Sequence, residues 1–401
     1  MWRLGFFFHE MGFGLLSIFL PLYIFQIDKA NGLFYVGVIT AIALFVAIPA
    51  SFLWGYLCDK TRHYKRYILM SFSVSSLMLY LFTLDSAQNV TVLIILYAVM
   101  AFFHIAHEPP KNVLIAELYS HEDWERNFAF YEGFTEVGWL IGLLLGFFMS
   151  HYILGASNIL LVCMGLNAVA LVLSAIFVAD PSLIFERSLV TMEKTVSFSS
   201  QGVFLASKML DGIAGDERLK KENVLAFCTG LVLFSLATSI LFTPLPIFIN
   251  NIAADLPAGF VFAIFVLNSS GGVVGYFLAR SRAKQPSGKA SVGRFALSRG
   301  LLAFLLLATI QSSSYNVILA TVVLVLMGFA FAVFMVRILS FSMELIPAGQ
   351  IGLVNVLIGV GGASGSFMGP YIAQLPNGFF YVFLVSGAIF VAGYAAFRAF
   401  A

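Results

Sequence analysis

The residues best equipped for chemistry lie in the first half of the chain. His104, His107, Glu108 and Lys111 recur at i, i+3, i+4 and i+7, the spacing that sets side chains on one face of a helix. Glu132 and Glu136 stand one turn apart on the next apolar run, and His9 and Glu10 sit on the first. If these runs cross a bilayer at about 1.5 Å per residue, Glu132 comes level with Lys111, Glu136 with Glu108 or His107, and His9 and Glu10 reach a similar depth. Four carboxylates then meet one lysine and three histidines. That ratio requires some acids to be protonated or balanced by a bound cation, and histidine changes charge near neutral pH. Proton coupling is the chemistry to which the set points first. His9, Glu10, His104, His107 and Glu108 also offer divalent-metal ligands, and Lys111 with Glu132 could simply tie helices together. Pro109-Pro110 breaks the same helix, freeing backbone carbonyls and permitting a bend at the cluster.

The second half differs in kind. All six histidines precede residue 152, and the later spans keep only Arg299, Arg337 and Glu344 as ionisable groups. They offer neutral side chains instead: Thr238, Ser239 and Thr243, then Asn268, Ser269 and Ser270, then Asn355. A charged half facing an uncharged one suggests coupling in the first and hydrogen bonds to a small-molecule substrate in the second. Thr238, Thr243, Asn268, Arg337 and Asn355 are the expected substrate-side residues. Arg337 could receive an anionic group or snorkel to the aqueous face, and Ser and Thr serve equally well as helix-packing contacts.

The elements that position these groups must live in lipid. Of 401 residues, 60% are hydrophobic and only 10% charged, against about 25% in a soluble domain. A secreted, fibrous or disordered protein is excluded. Runs of the roughly 20 apolar residues that cross hydrocarbon fall near 4–27, 33–57, 66–84, 91–117, 128–150, 157–179, 224–250, 258–279, 293–311, 315–341, 352–373 and 378–397. The expected fold is an all-α membrane protein of twelve transmembrane helices. The first run lacks a cleavage site and reads as a retained helix. Polar residues 180–223 separate two six-helix bundles, 1–179 and 224–401. With both termini cytoplasmic, the inside segments hold Arg3, Lys60, Arg62, Lys65, Arg66, Arg126, the linker cations, the cluster from Arg280 to Arg294 and Arg398, leaving Lys29 alone outside. So lopsided a bias sets the orientation. Basic residues confined to short loops predict no nucleic-acid partner, and Cys58, Cys163 and Cys228 have no ligand-like spacing. No cofactor is expected.

The second bundle repeats the first. Phe19-Leu20-Pro21-Leu22 returns as Phe242-Thr243-Pro244-Leu245, and Gly138, Gly142 and Gly146 return as Gly361, Gly365 and Gly369, both at an offset of 223. Gly55-Tyr56 returns as Gly275-Tyr276 and Glu117-Leu118 as Glu344-Leu345 at similar offsets. Four matches in chain order argue for a duplication in parallel orientation. The loop Gly55-x-Leu57-x-Asp59-Lys60-x-x-x-x-Lys65 resembles the signature between helices 2 and 3 of the major facilitator superfamily, and the resemblance extends over essentially the whole chain. It departs at Arg62, where that family usually has glycine, and at Tyr64. The resemblance implies a cytoplasmic gate built from Gly55, Asp59, Lys60, Lys65 and Glu117, in which Asp59 latches against the start of helix 11 and Gly55 lets helix ends approach. Two drug/proton antiporter features are missing: Gly142 is followed by leucine, and no arginine lies near Tyr97 and Ala98.

The expected function is therefore secondary active transport of a small solute by alternating access, proton-coupled through the buried network. The expected protein is a monomer in the plasma (cell) membrane that works with protons and the lipid bilayer. A divalent-metal transporter, a receptor or assembly protein on the same fold, and a channel are the alternatives. No nucleotide-binding loop appears in the sequence, and an enzyme is not expected.

Overall fold

The computed structural model describes residues 1–84, 89–119, 124–151, 155–180, 224–254, 256–257, 259–282, 290–311, 316–345 and 351–400, and these residues contain no strand. Of the expected linker, 180–223, all but Asp180 lies outside them. Six spans precede it: α1 (Arg3–Ile27), α2 (Gly32–Thr61), α3 (Tyr64–Leu81), α4 (Val90–His104) joined through a 3-10 turn to α5 (Glu108–Leu118), α6 (Trp124–His151) and α7 (Ala156–Phe177). Six follow: α8 (Val224–Phe242) continued by α9 (Leu245–Ile252), α10 (Phe260–Arg282), α11 (Ala290–Leu305) with α12 (Ala308–Gln311), α13 (Asn316–Leu345), α14 (Ile351–Ala373) and α15 (Gly378–Phe400).

Eleven of the twelve spans are long and apolar enough to cross a membrane by length and composition. The exception, α3, is 18 residues long and carries Lys65, Arg66 and four serines. Its polarity is matched locally: Ser71 donates to the carbonyl of His104 and Ser76 to that of Met164. Proline sets the interruptions. Pro109-Pro110 cannot supply the N–H groups that a continuous helix needs, so the fourth span tightens into the turn Ile105–His107. Pro244 and Pro246 separate α8 from α9 at the repeat-equivalent of Pro21.

Small residues set the packing. Gly138 and Gly142 of α6 abut the backbone of Phe7 and Met11 on α1, and Gly361, Gly365 and Gly369 of α14 abut Val232, Leu236 and Ile240 on α8. The duplicated glycine runs therefore make equivalent seams, as small residues do where helices approach without a hydrophobic driving force. The halves meet along α2 with α14 and α6 with α10. Gly37 packs on Pro370, Phe34 on Phe367 at 6.2 Å between ring centroids, and Phe130 on Phe277 at 6.4 Å.

Candidate functional site

A cavity of about 360 Å³ lies between the halves at the seam of α6 and α10. Its first-half wall carries Glu10, Glu108, Lys111, Glu132 and Glu136, and its second-half wall carries Thr238, Asn268, Tyr276 and Arg299. Two further spaces adjoin it. One, of about 400 Å³, lies toward the face carrying both chain ends and is lined by Ser51, His104, Ser235 and Ser239. The other, of about 310 Å³, lies toward the far face and is lined by Ser17, Tyr97, Thr243 and Asn268.

The expected polar cluster does assemble, in two parts. Lys111 Nζ lies 2.6 Å from Glu108 Oε2 and 3.7 Å from Glu132 Oε1, so the depth match of Lys111 with Glu132 is found. Behind this pair, His9 Nδ1 lies 2.6 Å from Asn167 Oδ1 and His9 Nε2 lies 3.0 Å from His104 Nδ1. Asn167 Nδ2 donates to the carbonyl of Cys163, which fixes its amide so that Oδ1 faces the imidazole. His9 Nδ1 therefore donates, and the neutral ring's Nε2 accepts from His104. His107 Nδ1 donates to the carbonyl of His104, and its Nε2 faces Glu108 Oε1 at 3.3 Å. His9, His104 and His107 present ligand atoms within 4.8 Å of one another, but a metal among them would have to displace the His9 to His104 hydrogen bond.

His104, His107, Glu108 and Lys111 form an unbroken run of contacts, the two imidazoles 4.9 Å apart between centroids and Glu108 lying between His107 and Lys111. The two histidines bond toward α1 and α3, His104 and Glu108 both line the space toward the chain ends, and Glu108 and Lys111 line the central cavity. Glu136 does not meet Glu108 or His107. Its Oε1 accepts a 2.5 Å hydrogen bond from Ser269 Oγ on α10, which joins the halves. Depth along a helix is readable from the sequence, whereas azimuth is not, and here the azimuth points outward from the first half. Glu10 lines the cavity with no hydrogen bond or ion pair among the described residues.

On the second half, Thr238 lines the cavity and accepts from Arg299 Nη1 at 3.1 Å. Asn268 donates to the carbonyl of Leu324 at 2.6 Å and faces two of the spaces. Thr243 lines the far-side space and donates to Ser366. Arg337 is half-buried and lines none of the three spaces. The side chain of Asn355 lies outside the described residues. The cation on this wall is Arg299, which the sequence reading counted within a span but did not select. Its signal was an arginine in the middle of an apolar run with no acid within helical reach.

The gate residues are only partly assembled. Asp59 and Lys60 are exposed at the end of α2; Lys60 Nζ lies 5.6 Å from the Tyr56 ring centroid. Asp59's expected partner segment, 351–355, has no described side chains. A Cβ added at Gly55 would meet no atom of another described element within 4 Å. Lys65 is held elsewhere, its backbone N–H donating to Asp180 at 2.7 Å and its Nζ to the carbonyl of Ala175 at 2.6 Å. Glu117 is half-buried on α5. Arg62, the departure from the expected glycine, has φ 57° and ψ 20° and caps α2 in the left-handed conformation. The loop thus turns as a glycine would turn it, at a steric cost glycine avoids.

Helical spans in two repeated halves closing on a polar cavity define a membrane transporter rather than an enzyme. The chain belongs to the Major Facilitator Superfamily, whose sequence model it matches over residues 4–370. No curated protein matches it by sequence. Similar solved structures include a mutant of the nucleoside transporter NupG, at 13% identity and TM-score 0.69 over 100% of this chain and 98% of that one. A structure described under proton dependent oligopeptide transporters is 15% identical, with a TM-score of 0.71 over 100% and 98%. The xylose transporter XylE from E. coli, in a partially occluded inward open conformation, is 12% identical, with a TM-score of 0.72 over 98% and 96%. At these identities the likeness is one of fold.

Proposed function

We propose that this protein is a proton-coupled secondary active transporter that binds a small solute in the cavity between its halves and carries it by alternating access. The observation that carries the reading is the cavity's charge: Glu10, Glu108, Glu132 and Glu136 outnumber its two fixed cations, Lys111 beside them and Arg299 on the facing wall. Buried charge in excess of its partners is neutralised rather than left bare, and protons are the most available means. Glu136 is the leading coupling residue because its carboxylate bonds Ser269 of the other half, so its charge state bears on the contact between the halves. Glu10 and Glu132 complete the proton-carrying set. In this reading both termini are cytoplasmic, the monomer sits in the plasma membrane, and Asp59 latches the cytoplasmic end.

The test is purified protein in liposomes with a pH-sensitive dye inside. Solute addition should move protons, and an imposed pH gradient should drive accumulation. A solute flux that is identical at every gradient and silent to the dye would refute the coupling. The histidine trio gives a second reading, divalent-metal transport. It requires metal flux to fall on His104→Gln, and loses its support if manganese and zinc do not cross.

A further inference from the structure

Arg299 on α11 is the largest fully buried side chain in the described structure, at 1% exposure, and it lines the cavity. Its guanidinium offers five N–H donors in a rigid fork. One is used, Nη1 to Thr238 Oγ1 at 3.1 Å, while Nε is buried with no partner. No carboxylate among the described residues pairs with it. Phe234, Phe242, Phe331 and Phe390 surround it with ring centroids 5.1 to 5.2 Å from the guanidinium carbon. Aromatic faces moderate a cation's desolvation, but they cannot accept in-plane N–H bonds, and a buried charge without a counter-ion is strongly unfavourable. The arrangement fits a planar anion arriving from the cavity.

The opposite wall limits what else that molecule can carry. A second anionic group would face Glu10, Glu132 and Glu136, whereas a cationic one would be held by them. We propose that Arg299 seats the carboxylate of the transported solute and that the solute is a small zwitterion whose ammonium faces the glutamate wall. A neutral solute would leave the guanidinium uncompensated, and a simple amine would as well. A cavity of about 360 Å³ is at the small end of the range for small-molecule sites. This assignment rests on the reading of the cavity as the solute site.

Counterflow exchange in liposomes without a pH gradient tests it separately from proton coupling. The panel is neutral amino acids and dipeptides, their N-acetyl derivatives lacking the ammonium, their methyl esters lacking the carboxylate, a phosphate monoester, a hexose and a nucleoside. Zwitterions should exchange, and either blocked form should exchange at least about tenfold less well, since each blocked form leaves one buried group unsatisfied. Arg299→Lys should weaken apparent affinity about tenfold by replacing a fork with a point charge, and Arg299→Gln should abolish exchange. Thr238→Val, which removes the bond orienting Nη1, should cost less than either. If Arg299→Gln does not fold, the wild-type panel decides alone. Exchange of the hexose, nucleoside or phosphate monoester in place of zwitterions overturns the proposal, as do methyl esters that exchange as well as their parents or an Arg299→Gln variant that exchanges normally. Zwitterion exchange that never moves the dye would support Arg299's role while removing proton coupling.

Discussion

Replacing Glu136 and Glu108 by glutamine should separate coupling from architecture. Glu108 holds Lys111 at 2.6 Å, and Lys111 is buried with only Glu132, at 3.7 Å, as a second partner. Stripping one partner from a buried ion pair costs about 3–5 kcal/mol when nothing replaces it. Glu132 remains, and Glu108 is 30% exposed to the cavity, so Glu108→Gln should lose about 2–3 kcal/mol by the same reasoning. Glu136→Gln keeps an oxygen for Ser269 to donate to and trades a charge-assisted hydrogen bond for a neutral one, a loss of about 1 kcal/mol. Thermal unfolding in detergent should therefore rank Glu108→Gln well below Glu136→Gln, which stays near the parent. Transport should show the reverse emphasis. Glu136→Gln should lose accumulation driven by a pH gradient while retaining counterflow exchange, because the amide cannot carry a proton between the two sides. Should Glu136→Gln accumulate solute like the parent, or lose as much stability as Glu108→Gln, the division of labour is wrong.

Gly142→Ala and Gly365→Ala should each destabilise by about 1–3 kcal/mol, since the added methyl runs into a backbone carbonyl and overpacking is not relieved by a rotamer change; Gly165→Ala, with nothing within 4 Å, should leave Tm near the parent, and equal effects at all three would refute the seam. Arg62→Gly should hold or raise Tm and Arg62→Val should lower it, because φ 57° suits glycine and opposes a β-branched residue; matching Tm values would mean that the turn adapts. Asp59→Asn should raise cysteine labelling at Ser51→Cys and Ser239→Cys, which line the space on the terminal face; labelling that does not change would leave Asp59 a topology signal rather than a latch.

How much was legible in the sequence depended on which quantity was asked of it. Hydropathy located every span because crossing lipid is a one-dimensional requirement, and α3 was found although its serines and cations lower its hydropathy. The Gly-x-x-x-Gly runs were legible as seams because only glycine lets backbones touch there. Azimuth was not legible. The bonds that tie His104 to α1 and His107 to α3 do not follow from their spacing, and Glu136 turned across the interface to Ser269. Nor could periodicity choose between Arg299 and Arg337, each alone in an apolar run. Burial by four phenylalanines is a tertiary fact, and it gives the wall expected to be uncharged its cation. The repeat misleads in one place: it pairs Asp59 with Ala279, yet Asp59 is exposed and Ala279 is buried beside Tyr276 and Val336.

The glycine seams of α1 with α6 and of α8 with α14 differ from most glycine contacts between halves, and that difference has mechanical meaning. Within halves, Gly138, Gly142, Gly361, Gly365 and Gly369 press backbone on backbone, where no side chain can adjust. Between halves, Gly133 faces the side chains of Tyr276 and Phe277, Gly146 faces that of Phe262, and Gly359 faces that of Ile48. Such contacts can exchange by rotamer changes. The seam between halves is also uneven along its length. Toward the far face Gly37 packs on Pro370, and a Cβ at Gly259 would come within 3.0 Å of the Phe147 carbonyl. Toward the face carrying the chain ends, a Cβ at Gly55 would meet no atom of another described element within 4 Å, and Asp59 is exposed. Stiff glycine seams inside the halves thus stand beside a boundary made mostly of side-chain contacts, held closely at the far face. The carrier cycle proposed above needs this asymmetry to reverse. It can do so by remaking side-chain contacts along α2 with α14 and α6 with α10 while the glycine seams inside each half stay shut.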